Sequence, residues 1–181
     1  MPRSTRRILL GVSGSIAAVK SPELVRLLVD EGHQVQCLLT QGAKEFVAPL
    51  ALATFSARPV LESIFGPEAY QLPHIVHAEE ADLMIVAPAT AGLLARFAMG
   101  FTDDIVSLCY ITTKAPVLVA PAMHPTIWEH PATQANVKTL RDRGVHFIGP
   151  HVGPLADKTR GDGRMSEPAE ILKVAEKILK K

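Results

Sequence analysis

The sequence predicts an α/β fold, a single domain spanning 1–181 built as a three-layer sandwich around a doubly wound parallel sheet. Three observations predict it. Five short β-branched or aliphatic runs alternate with helical patterns, as repeated strand–helix units with right-handed crossovers require. Two of those runs, 82–87 and 117–120, are almost unbroken apolar stretches, as strands covered on both faces must be. Hydrophobic residues make up 48% of the 181 positions against 20% charged, enough to bury such a sheet without disulfides.

Ile8-Leu9-Leu10-Gly11-Val12-Ser13 reads as the first strand, and helical material follows to about Glu31, where Gly32 is placed to end it. Val35–Thr40, Asp82–Ala87, Val117–Ala120 and Val145–Ile148 read as the second to fifth strands. Amphipathic stretches between them stop at Gly100 and Gly144, both suited to a left-handed helix terminus. A last helix runs from about Glu167 to Lys180, with Pro168 in its first turn. No repeat or interdomain linker interrupts the pattern. The one irregular stretch, 151–166, is rich in Gly, Pro and charge and reads either as a lid over a site or as a surface excursion.

A net charge of +1 gives neither a nucleic acid nor an anionic membrane an electrostatic footing, so neither is expected as a partner. No apolar run approaches the roughly 20 residues that cross a bilayer. The basic start Met1–Arg7 precedes an apolar run, Ile8–Val12, too short for a signal peptide. Cys37 and Cys109 lie inside apolar segments with no metal-ligand spacing and read as buried thiols of a cytoplasmic protein.

Doubly wound sheets bind ligands beyond the carboxyl ends of their strands, which groups the loops after the first, third and fourth strands. The first, Gly11-Val12-Ser13-Gly14-Ser15, enters a helix and reads either as a phosphate-binding turn or as an ordinary tight turn. It is not the six-residue dinucleotide fingerprint. Thr40-Gln41-Gly42 stands where a dinucleotide fold holds a ribose with an acid, which favours a mononucleotide such as FMN over NAD. Pro88-Ala89-Thr90-Ala91-Gly92 can bring backbone amides to a flat ring, or can simply permit close helix–sheet packing. His74 opens a short helix after Pro73, where it reads as a neutral base or as a satisfied surface histidine, and His77 can share its side. Pro121 and Pro125 keep the chain extended around Met123 and His124, and Trp128 reads as a packing anchor.

Taken in order, these residues resemble the flavin-dependent cysteine decarboxylases, most closely the phosphopantothenoylcysteine decarboxylases of coenzyme A biosynthesis. The likeness spans about Arg7 to Ile171: the Gly-x-x-Gly-Ser turn, the run His74–Asp82, Pro-Ala-Thr-Ala at 88–91 and Gly-x-x-Asp-Asp at 100–104. It continues through Pro-Ala-Met-x-x-x-x-Trp at 121–128, His130-Pro131-Ala132-Thr133 and Gly-Arg-Met-x-Glu-Pro at 163–168. The resemblance implies a Rossmann/flavodoxin-like, FMN-binding flavoprotein domain with a lid at 151–166. It also implies a homotrimer, or a dodecamer of trimers, with FMN at the subunit interface.

By position, Gly14, Ser15, Ile16, Thr40, Gln41 and Gly42 would hold the flavin phosphate end. Thr90, Ala91, Gly92, Leu93 and Ala122 would border its ring, with Phe46 as a ring contact. His74 would be the catalytic base, and Met123, His124, Lys158 and Arg164 would face the substrate. The activity implied is FMN-dependent conversion of 4′-phosphopantothenoylcysteine to 4′-phosphopantetheine, by thiol oxidation, carbon dioxide loss and reduction of the enethiol.

The chain departs from the family at three positions. His124 and Gly92 stand where the family usually has asparagine, and Asp157 stands where pathway enzymes carry a proton-donating lid cysteine. Asp157, Lys158 or a water can supply that proton; if reduction is lost, the chain is an oxidative decarboxylase of a peptidyl or other cysteine derivative and releases an enethiol. The Pro-Ala-Met and Gly-Arg-Met stretches favour the pathway reading. A non-catalytic, flavin-binding regulatory protein is the alternative outside enzymes, and a flavin prenyltransferase would need neither the His74 segment nor Pro-Ala-Met.

Overall fold

The computed structural model describes residues 5–65, 69–155 and 158–180. Five parallel strands form the central sheet: β1 (Arg7–Val12), β2 (Gln34–Leu39), β3 (Leu83–Ala89), β4 (Val117–Pro121) and β5 (His146–Phe147). Their spatial order is β2-β1-β3-β4-β5, so the winding reverses between β1 and β3. β3 is buried at all seven positions, as its apolar run predicts. Side chains alternate between two cores. Ile8, Leu10, Ile85 and Leu118 face α1 (Ser21–Asp30), α2 (Pro49–Ser56) and α8 (Pro168–Ile178). Leu9, Met84, Val86 and Val119 face α3 (Pro73–Glu80), α4 (Ala91–Met99), α5 (Ile105–Thr112) and α7 (Pro131–Asp142). The expected three layers are present.

Local chemistry places the helices. The Thr90 hydroxyl accepts from Leu93 N to start α4, which ends at Gly100 with φ +78°. Asp104 accepts from the N–H groups of Val106 and Ser107, both at 2.9 Å, and so opens α5. Gly144, φ +87°, follows α7 as predicted. Trp128, at the end of the one-turn α6 (Pro125–Trp128), is half-buried against the second core, the packing role expected of it.

Three boundaries differ from the sequence expectation. The stretch after β1 is not one helix: a 3-10 turn, Ile16–Lys20, precedes α1, which restarts at Ser21 with Pro22 in its first turn. The last helix stops at Ile178. Within 151–166 lies an antiparallel hairpin, β6 (His151–Pro154) with β7 (Arg160–Arg164). Apart from Val152, its strands carry glycine, proline, histidine and charge, so their pairing leaves no apolar period to read.

Candidate functional site

The site forms at the carboxyl edge of the sheet, where the reversal between β1 and β3 opens a crevice. Ser13, 2% exposed, ties the two loops there: its hydroxyl donates to Pro88 O at 2.9 Å and accepts from Thr90 N at 2.9 Å. Ala122 N donates to Ala89 O at 3.0 Å, and Thr40 N to Val12 O at 3.1 Å, so the loops after β2 and β4 join the same frame. The turns meet at two glycines. A Cβ on Gly14 would stand 2.9 Å from the carbonyl carbon and oxygen of Gly42. Ser15 is extended and caps the 3-10 turn, its Oγ accepting from Ala17 N at 3.3 Å.

A cavity of about 560 Å³ opens here, lined by Ser15, Ile16, Val19 and Lys20, by Ala122, Met123 and His124, and by Leu155, Gly163, Arg164 and Met165 of the hairpin region. The hairpin docks on the Pro-Ala-Met loop through backbone. Met123 N donates to Gly163 O at 3.1 Å, while a Cβ on Gly163 would fall 2.0 Å from Met123 O and one on Gly161 2.5 Å from Pro125 Cγ. Both glycines lie within β7 and are needed for this close approach.

Charge collects at one wall. Lys20 Nζ lies 2.8 and 3.0 Å from the two Glu167 carboxylate oxygens, and Arg164 also donates to Oε1. The Lys20 hydrogen bond, with help from Arg164, holds the Glu167 carboxyl below its usual range. His124 occupies the opposite lip in an extended conformation, φ −63° and ψ 145°, where its Nδ1 accepts from Thr126 N at 3.3 Å. An Nδ1 that accepts carries no proton, so the neutral ring bears its proton on Nε2 and is a single donor.

Of the residues expected at the site, Ser15, Ile16, Ala122, Met123, His124 and Arg164 line this cavity. Gly14, Thr40, Gln41 and Gly42 belong to the adjoining turns, with Phe46 40% exposed just beyond them. Thr90, Ala91, Gly92 and Leu93 form the first turn of α4, and nothing lies within 4 Å of where a Gly92 Cβ would stand. Lys158 adopts φ +67° in a turn closed by its N–H to Leu155 O, and its exposed side chain does not line the cavity. Asp157 lies outside the described residues.

His74 stands in the first turn of α3, in the layer across the sheet from the 3-10 turn, and does not line the cavity. Its Nδ1 is buried with no hydrogen-bond partner among the described residues. His77 points elsewhere, into a small cavity at the amino edge of the sheet, so the two histidines do not share a site. Burial pushes both thiols up to about 12, with Asp104 adding to the effect at Cys109, so neither is poised for acid–base work near neutral pH. Ser13, Lys20 and Met165 were not singled out as site residues by sequence. Ser13 sits inside the recognised turn and Met165 inside the Gly-Arg-Met motif, whereas Lys20 carries no local signal of its own.

The Flavoprotein family model matches residues 2–180. The chain is 42% identical over 174 residues to the coenzyme A biosynthesis bifunctional protein CoaBC of Vibrio parahaemolyticus, covering 96% of this chain and 44% of that protein. It spans under half the length of the curated relatives it matches. Among solved structures, a PPC decarboxylase mutant complexed with pantothenoylaminoethenethiol superposes with a TM-score of 0.87 at 26% identity, covering 98% of this chain and 100% of that one. The FMN-dependent cysteine decarboxylase TvaF from thioviridamide biosynthesis gives 0.84 at 28% identity, with the same coverage. With its sheet order, its crevice loops and nearly its whole length matched in this way, the chain belongs to the Flavoprotein family.

Proposed function

We propose that the chain binds FMN at the switch point and converts 4′-phosphopantothenoylcysteine to 4′-phosphopantetheine, a carboxy-lyase step of coenzyme A biosynthesis in the cytoplasm. The observation that carries this reading is the cavity where Ser15, Ala122, Met123 and His124 meet under the docked hairpin. Relatives named CoaBC and a neighbour named PPC decarboxylase support the same chemistry.

The residues present fit FMN. Two glycine turns in backbone contact leave the approach to Ser15 free of side chains, which suits a phosphate end. Ile16, Ala122 and Met123 supply apolar walls for a flat ring. When bound, the flavin supplies two-electron oxidation of the cysteine thiol, which makes the neighbouring carboxylate a good leaving group as carbon dioxide.

The protein's own share is binding, orientation and proton handling. His124 Nε2–H donates one hydrogen bond to the departing carboxylate, holding it without a full positive charge that would stabilise it in place. Lys20 and Arg164, already gathered by Glu167, face the phosphorylated end of the substrate. The His74 imidazole takes the thiol proton, delivered to this cavity from a second copy in a homotrimer or a dodecamer of trimers. Its place outside the cavity lining of its own chain supports that assembly. So do Ile16 and Val19, on the cavity wall yet 55% and 57% exposed.

A second reading is kept for one reason: neither buried thiol reaches the cavity, so no described cysteine can reprotonate an enethiol. Anaerobic incubation with 4′-phosphopantothenoylcysteine, following product mass and the flavin spectrum together, separates the two. Loss of carbon dioxide alone, with the flavin returned to its oxidised form, is expected. Loss of carbon dioxide and two hydrogens with bleached flavin would make the chain an oxidative decarboxylase instead. In His74→Asn, turnover is expected to fall by about 10²–10⁴-fold with FMN retained.

A further inference from the structure

At the amino edge of the sheet, opposite the flavin crevice, the starts of β1 and β2, the segment after α2 and the end of α3 enclose a second cavity of about 100 Å³. Its polar lining is Arg7, Gln34, Gln36, Arg58, His77 and Glu80. The charges do not cancel. Glu80 is taken by Arg7, whose Nη1 lies 2.8 Å from Oε2. Arg58 donates to the neutral Gln34 Oε1 at 2.9 Å, and no carboxylate among the described residues pairs with it.

The amides are oriented by these bonds. Gln34 has its oxygen on Arg58, which leaves its NH₂ donors for another acceptor. Gln36, only 8% exposed, commits its NH₂ to Pro59 O at 2.7 Å and keeps its own carbonyl oxygen as an acceptor. A polar side chain so deeply placed on a strand face is uncommon, and apolar residues would fill the gap at less cost. The volume admits a group of a few heavy atoms, well beyond a single water.

We propose that this cavity is a binding site for a small oxyanion, phosphate or carboxylate, held by Arg58 and Arg7 with the Gln34 amide and the His77 imidazole as further donors. Arg presents a planar fork suited to such groups. His77 is the natural reporter. Burial pulls its basicity down, Glu80 opposes that, and the charges of Arg58 and Arg7 add to the depression. An anion between the arginines and the ring removes the last contribution and raises the His77 pKa. The site lies at the opposite edge of the sheet from the flavin crevice, so its occupancy is independent of the decarboxylase reading.

The test uses the flavin-loaded protein. The ring resonances of His77, assigned through His77→Asn, are followed by NMR while sodium phosphate is added at constant ionic strength against chloride. Acetate is run as a second arm. A saturable rise in the His77 pKa of about 0.5–1 unit is expected, with Arg58→Gln binding about tenfold more weakly or not at all. Saturation by phosphate alone assigns a phosphoryl ligand, and saturation by acetate as well assigns a carboxylate. A shift that chloride reproduces, or one that Arg58→Gln retains in full, overturns the proposal, as does no shift at all. Unchanged flavin absorbance and melting temperature in the Arg58→Gln variant show that it is folded.

Discussion

Ser13 carries one hydroxyl proton, and two neighbouring loops depend on where it points. Because Thr90 N donates to Oγ, that proton is free to go to Pro88 O, and the β1 and β3 loops are locked as one piece. Ser13→Ala keeps the backbone bond from Ser13 N to Pro88 O at 3.2 Å but leaves Thr90 N without its acceptor. A loss of about 1–3 kcal/mol in urea unfolding is expected, the cost of one orphaned buried donor. His124 shows the same economy. Its ring nitrogen does the work of a helix-capping oxygen, and that use is what fixes the proton facing the cavity. The type of residue at 124 was readable in the sequence; its tautomer was not, since it depends on a backbone N–H two residues on.

Among the elements, the strands were the most legible. β3 and β4 are apolar at nearly every position because both faces are covered, and their short, β-branched runs suit strands. The hairpin was the least legible. Its residues pair through backbone alone, and the glycines that look like loop punctuation are the places where it touches β4's loop. Gly163→Ala puts a methyl group where Met123 O now sits, so the hairpin must lift. The expected result is loss of substrate turnover with FMN absorbance and the thermal transition little changed. A variant that turns over normally would show that hairpin docking plays no part in activity. The core gives a contrasting expectation. Phe97 is fully buried and stacked on Tyr110 with ring centroids 3.9 Å apart, so Phe97→Ala should cost about 3–5 kcal/mol in chemical denaturation.

At the scale of the whole molecule, the two edges of the sheet respond differently to acid. His77 has a folded pKa below its ordinary 6.5, with burial as the main cause. The unfolded chain therefore binds its proton first, and stability is complete above about pH 6.5 and lost as pH falls below it. Glu167 titrates lower: its depressed carboxyl stabilises above its ordinary 4.5, and that contribution goes as pH falls through the folded value. The Glu167 side chain is 43% exposed, so its contribution is modest, whereas His77 is half-buried. Melting temperature is expected to decline in two steps, and His77→Asn should remove the upper one. The doubly wound class followed from the alternation of strands and helices, whereas the order β2-β1-β3-β4-β5 did not, because alternation alone does not say which strand pairs with which. The placement of His74 outside the cavity lining of its own chain could not follow, because sequence spacing does not say in which layer a short helix packs.

The hairpin's mode of attachment has a consequence for how such a site can change. It is fastened by an N–H, a carbonyl and two missing methyl groups, none of which depends on the side chains along its outer rim. Lys158 and Arg160 are exposed on that rim. New chemistry can therefore be fitted there like a different bit in the same chuck, leaving the grip on the rest of the protein untouched.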